Sequence, residues 1–316
     1  MTETSNFLVR IWGARGSIAC PSDSTARYGG NTSCIEMRYG DRPLVFDAGT
    51  GIRLLGEMLE TSGPLDAEHF FSHTHLDHVI GLPFFCPAHR PENSFQVWAG
   101  HLLSDLTIEE ALRAAMTQPL FPVPPDVLKA KRDYHDFSAG ETPHPRPGIT
   151  VRTAPLNHPN GATGYRVEYD GKAVCYLTDT EHTIDASDKN ILSLIQGADI
   201  VIYDCTYADE EFEKFIGWGH STWQEGVRLC QAAGRITFGA VGDEDRLKYT
   251  AIGSVVNLSD KLEKHTKTEK ARMLADQATF DAALAQGHRP PAEPERRPAR
   301  STEGIDAPID IVILAA

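Results

Sequence analysis

Four metal-competent side chains crowd into six residues at His73, His75, Asp77 and His78, a His-x-His-x-Asp-His run with Gly81 close behind it and an apolar stretch in front. Few folds have a use for such density. His73 and His75 alternate as at the end of a strand and share a face, while Asp77 and His78 fall on the following turn and reach a second position a few ångströms away. A lone histidine is more often a surface or hydrogen-bonded core residue than a ligand. Three imidazoles with a carboxylate instead suit divalent cations, so the run reads as half of a two-metal site.

The 316-residue chain exceeds the usual size of one domain, so a large domain with a smaller one is expected. Its hydrophobic content of 41% is that of an ordinary globular protein, and no apolar run approaches bilayer length. Residues 1–6 lack the basic-then-apolar pattern of a secretory signal, which points to a cytoplasmic address. Six cysteines are scattered without a Cys-x-x-Cys pair and several lie in apolar runs, so buried free thiols are expected over disulfides. A formal charge of −14 opposes binding of long nucleic acid, yet leaves room for a small anionic substrate held by metal.

Short strands are expected at 7–12, 33–38 and 44–47, a helix at 52–59, and a strand at 69–72 that delivers the histidine run. An amphipathic helix is expected over 104–118. The proline-dense 118–125 segment must be irregular, either a lid or a plain connection. Strands recur at 149–154, 163–169, 172–177 and 200–203, the last after a helix near 188–196. Polar candidates trail them: His158, Asp179 and Asp204, with His220 after a further loop, as when a rigid sheet presents a site on its loops. From 288 to 303 the chain is proline- and charge-rich and reads as a mobile stretch, and 309–314 reads as a closing strand.

The His-x-His-x-Asp-His run, the preceding Asp47-Ala-Gly-Thr-Gly and the ordered set His158, Asp179, Asp204 and His220 together resemble the metallo-β-lactamase superfamily over about residues 7–235. The Asp-Thr at 179–180 and the Gly-His-Ser-Thr at 219–222 look most like its phosphodiesterase branch, which includes tRNase Z and a cyclic phosphodiesterase. The resemblance implies an α/β, four-layer αββα sandwich. It assigns His73, His75 and His158 to one metal, Asp77 and His78 to the other, and Asp179 as a bridge between them. It makes His220 the general acid at the leaving group, Asp204 its orienting partner, and Asp47 the acceptor that fixes the tautomer of a ligand imidazole. A phosphodiester in a cyclic or small nucleotide would then be attacked by a metal-bound hydroxide, with one or two Zn2+ per chain and manganese or iron as alternatives.

Two departures stand against this pattern. Dinuclear members carry a further histidine on a late strand, where this chain reads Arg235-Ile236-Thr237-Phe238-Gly239-Ala240. That leaves the second metal short of a ligand. Over about residues 236–287, through Gly239 and Asn257, the sequence resembles the second half of a class III adenylate or guanylate cyclase domain. The resemblance lacks the upstream metal-binding aspartates, and Lys261 stands at the family's transition-state arginine. Lysine cannot reproduce the forked contact of a guanidinium with phosphate. The expected division is therefore a hydrolase domain at 1–235 and a small α+β, non-catalytic tail at 236–316, structural or dimerising with nucleotide-base sensing as the alternative, so that a homodimer is one expected assembly. The expected partner is a small phosphodiester, with no membrane and no long nucleic acid. A β-lactam, lactone or ester hydrolase of the same fold, or a non-catalytic nucleotide sensor with a decayed metal site, stay open as alternatives.

Overall fold

A computed structural model describes residues 7–234 apart from 24, 27, 40–41, 61–62, 103–105 and 185. Beyond these it describes 239–242, 247–252, 265, 268–271, 273–277, 280–281, 284, 293–301 and 308–315, with only the backbone described for 239–242, 247–252, 273 and 315. The chain divides into two compact units, residues 1–236 with 240–251, and residues 237–239 with 252–316.

The first unit opens with β1 (Phe7–Gly13), β2 (Cys34–Tyr39), β3 (Arg42–Phe46), helix α1 (Ile52–Leu59), β4 (Asp66–Phe71), the short helix α2 (Leu76–Val79), β5 (Ser94–Ala99), helix α3 (Ile108–Ala115) and β6 (Lys131–Asp136). The six strands form one sheet in chain order, antiparallel from β1 to β3 and parallel from β3 to β6. A second sheet is built from β7 (Thr150–Leu156), β8 (Ala162–Tyr169), β9 (Lys172–Leu177), helix α4 (Lys189–Ile195), β10 (Ile200–Asp204), the single turn α5 (Asp209–Phe212), helix α6 (Trp223–Ala232), β11 (Gly239–Gly242) and β12 (Leu247–Ile252), in the order β11-β12-β10-β9-β8-β7.

Apolar runs on both faces of the central strands demand cover from two sides. Helices α1 and α3 cover one face of the first sheet, where Ile52, Leu55, Phe71, Phe95, Ile108 and Leu112 share one buried cluster. Helices α4 and α6 lie on the second sheet. Between the sheets, Phe46 and Phe70 stack at 5.3 Å and meet Tyr165 and Tyr176 of the second sheet at 5.4 to 5.8 Å. This is the expected four-layer αββα sandwich. All six cysteines are free thiols, and four of them are buried. Among the described residues no helix is long and apolar enough to cross a membrane.

Several elements differ from their sequence-based expectation. The helix expected at 104–118 shortens to α3, because Thr107 caps it in a box with Glu110 and the peptide before Pro119 disfavours helix. Strands β5 and β6 had no counterpart in the sequence reading. The tail was expected to begin at 236, yet β11 and β12 extend the second sheet beyond β10, whose edge offers unpaired backbone groups. In the second unit β13 (Met273–Asp276), β14 (Glu295–Arg300) and β15 (Ile309–Ala315) form a sheet in the order β13-β15-β14. The stretch expected to be mobile thus contains an edge strand. Its register slips between Arg297 and Arg300, where Pro298 cannot donate to the ladder and Ala299 has a φ of +50°, while Arg297 pairs with Glu269 and Glu295.

His69 of β4 is fully buried, stacked on Phe71 at 4.5 Å, with Nε2 3.3 Å from the Asp47 carbonyl. Burial pushes its pKa down to about 4 from an ordinary value near 6.5. The folded protein keeps this imidazole neutral while the unfolded chain protonates it. Its contribution to stability is present above pH 6.5 and is lost as the pH falls towards 4. Replacing it, as in His69→Phe or His69→Gln, is expected to flatten the fall in urea-unfolding free energy over that window by about 1.4 kcal/mol per pH unit. An unchanged slope in both variants would count against this assignment.

Candidate metal centre

Parallel strands end on one edge of a sheet, and loops at that edge collect functional groups. Here β3 delivers Asp47, β4 delivers Ser72 and His73, β7 leads to His158, β9 leads to Asp179, and β10 ends on Asp204. The histidine run then turns into α2, so that His73 and His75 precede the helix while Asp77 and His78 lie in it. The turn is held against the loop after β3 by Ala48 N–H to the His78 carbonyl (2.7 Å) and Gly81 N–H to the Ala48 carbonyl (2.8 Å). Only glycine fits at 81, because a Cβ there would lie 2.1 Å from the Gly49 carbonyl oxygen.

The expected site residues converge. Asp179 Oδ2 lies 3.5 Å from His73 Nε2, 3.4 Å from His78 Nε2 and 3.8 Å from His158 Nε2, and His158 Nε2 lies 3.0 Å from His75 Nδ1. Asp77 Oδ2 is 3.4 Å from His78 Nε2 and accepts the backbone N–H of Ser17 at 2.8 Å. Among the described residues, three groups have donor atoms all within 4.8 Å of one another: His73 with His75 and His158, His73 with His78 and Asp179, and Asp179 with Asp204 and His220. Nδ1 of His220 is 2.9 Å from Asp204 Oδ2, and Asp204 Oδ1 accepts from both the N–H and the hydroxyl of Thr206.

Two aspartates here occupy the left-handed region, Asp47 at φ +59° and Asp179 at +50°. Aspartate tolerates this conformation better than most residues, and such strain collects at functional sites. Asp47 is fully buried; its carboxylate accepts from Ser72 N–H (2.7 Å), the Ser72 hydroxyl (2.8 Å), the Tyr176 hydroxyl (2.7 Å) and His78 Nδ1 (2.8 Å). His158 Nδ1 in turn donates to the Gly219 carbonyl at 2.7 Å. Both contacts fix tautomers that leave Nε2 as the donor atom aimed into the cluster.

Burial drives the His73 imidazole well below its usual range, with His78 adding to the shift, and burial also lowers His158. For His78, burial alone would lower the pKa, but Asp179 and Asp47 raise it well above the usual value. His73 Nε2 is buried without a hydrogen-bond partner. An orphaned imidazole nitrogen, facing a carboxylate and flanked by three further imidazole rings, is costly in an empty interior and is accounted for by a cation. The donor set of imidazoles and carboxylates therefore fits zinc.

Sequence reasoning missed part of this wall. His101, buried behind β5, places Nε2 3.3 Å from the Thr74 hydroxyl, and burial lowers its pKa to about 4. It was missed because β5 was not read as a strand, so nothing marked the residue after Gly100. Ser17, Ser72 and Tyr176 have no motif that distinguishes them from structural residues. The position of the absent late histidine, 235–238, lies outside the described residues, and at 239–240 only the backbone is described.

Residues 42–238 match the family model for the beta-lactamase superfamily domain. A Ribonuclease Z from Lactobacillus johnsonii is 26% identical over 253 residues, covering 64% of this chain and 78% of that relative. The metallo-beta-lactamase fold protein YhfI from Bacillus subtilis superposes with a TM-score of 0.54 at 19% identity, covering 72% of this chain and 83% of that one. A diphosphatase from the PhnP family gives 0.53 at 18% identity, with 72% and 83% covered. The chain belongs to the beta-lactamase superfamily, whose fold generally binds Zn2+, and it is a metal-dependent hydrolase of that class.

Removing the Asp47 carboxylate should loosen His78. In Asp47→Ala, zinc affinity measured by competition with a chelator is expected to drop 10- to 100-fold, and in Tyr176→Phe by much less, since three of the four donors remain. Equal affinities in wild type and Asp47→Ala would refute the role given to this contact.

Proposed function

We propose that the chain hydrolyses a phosphodiester in a small or cyclic nucleotide. His73, His75 and His158 would hold one zinc ion, Asp77 and His78 a second, with Asp179 shared. Bound there, the ions supply the acidity of the attacking water and the positive charge that a crowded phosphorus centre needs. The remaining steps fall to this chain's own residues. Asp204 accepts the Nδ1 proton of His220, which sets the ring so that Nε2, on its opposite side, donates a proton to the departing alkoxide oxygen.

The observation that carries this reading is the 2.9 Å pair of His220 and Asp204 beside Asp179. An alkoxide leaving from phosphorus needs a proton donor, whereas opening a β-lactam would leave this pair idle. The names of the relatives, a Ribonuclease Z and a diphosphatase, both denote hydrolysis at phosphorus. The excess of 44 acidic over 30 basic residues favours a small substrate over a long RNA. The cyclase-like tail, in this reading, is a structural or dimerising appendage.

The purified chain is expected to hold about two metal ions and to cleave bis-p-nitrophenyl phosphate, with activity lost on chelation and restored by zinc or manganese. His220→Ala is expected to lower kcat by about 10²- to 10⁴-fold while metal content stays constant. Turnover of β-lactams in place of phosphodiesters would overturn the substrate class. Fewer than one metal per chain, with no activity after zinc or manganese is added, would make the protein a binding module.

A further inference from the structure

The loop between α5 and α6 carries two large apolar side chains into solvent, Ile216 at 55% and Trp218 at 64% exposure. Such a pair on a free surface loop would ordinarily be mobile, but this loop is tied down. Oε2 of Glu181 accepts the backbone N–H groups of both Gly217 (2.7 Å) and Gly219 (2.9 Å), and Trp218 N–H reaches the Phe215 carbonyl at 3.0 Å. Glu181 is itself paired with Asn157, its N–H to the Asn157 carbonyl (2.7 Å) and its carbonyl to the Asn157 side chain (2.9 Å). The loop is thus braced against the two segments that carry His158 and Asp179.

The bracing requires glycine at 219. Its φ is +79°, and a Cβ there would lie 2.3 Å from His158 Nδ1, the atom that donates to the Gly219 carbonyl. A row of rings links the exposed indole to the acid of the reaction. Trp218 meets Phe215 edge to face at 5.6 Å, Phe215 stacks on Tyr207 at 4.4 Å with an interplanar angle of 4°, and Tyr207 meets His220 at 6.1 Å. Trp218 and His220 are two residues apart, so their Cα atoms lie within about 7.6 Å.

We propose that Trp218 is a stacking platform for the planar base of a nucleotide substrate, held beside the leaving-group side of the site by the Glu181 clamp. The inference rests on reading the site as a phosphodiester hydrolase and names the group its substrate carries. An exposed indole offers a flat π-face that any base can cover, and a loop ordered in advance spares the bound state the entropy of fixing it. Base recognition by stacking tolerates different bases, so the platform selects for a nucleoside over a bare phosphodiester and not for one base.

The test compares adenosine 5′-monophosphate with ribose 5-phosphate as ligands of the zinc-loaded full chain, by competitive inhibition and by tryptophan fluorescence. Wild type is expected to prefer the nucleotide about tenfold, with quenching by the nucleotide alone. In Trp218→Ala the preference should fall to near unity and the quenching disappear, and Trp218→Phe should restore most of the preference. No preference in wild type, or a preference kept in Trp218→Ala, overturns the platform. If the nucleotide binds and quenches while no phosphodiester is cleaved, the platform stands and the proposed hydrolysis falls. If diesters with and without a nucleobase are cleaved equally well, the hydrolysis stands and the platform falls.

Discussion

A single buried carboxylate, that of Asp47, ties together the two sheets of the first unit. It sits at the end of β3 and accepts from the end of β4 through Ser72, from α2 through His78 and from the second sheet through Tyr176. Burying an ionised carboxylate costs several kcal/mol unless donors surround it, and here four donor groups do. The same bonds that offset its desolvation lock the ring of His78 and bring β9, and with it Asp179, to the edge where β4 ends. The site's geometry and the sandwich's cohesion are therefore one network.

The rest of the centre follows the same logic of backbone and side chain acting together. Carbonyls and N–H groups of loops do much of the orienting: Gly219 for His158, Ser17 for Asp77, Thr180 for Asp204. Glycines at 81 and 219 are required because neighbouring groups approach where a side chain would stand. Glu181 extends the arrangement outward, joining the ligand-bearing loops to the exposed aromatic loop at Trp218. The candidate metal centre and the proposed base platform then share one scaffold.

The second unit follows different rules from the sandwich. Its small sheet buries Ile311, Val312 and Ile313 of β15 and flanks them with an arginine-rich edge strand whose charges are met by Glu269 and Glu295. Proline and charge in the sequence suggested a chain unable to order itself. The apolar strand beside it offers backbone partners that composition alone does not show.

By itself the sequence determined that His73, His75, Asp77 and His78 act as a unit, because four donors within six residues have no bland explanation. Alternating and apolar runs also determined most strands of the sandwich and the polar groups that end them, since strand periodicity is local. Only the tertiary structure decided that Asp179 Oδ2 lies amid three imidazoles, that Asp47 answers to Ser72 and Tyr176, and that His101 joins the wall. Those contacts join residues from 21 to 129 positions apart. Such distances are set by how sheets stack and where strands end, and a local pattern carries no record of them.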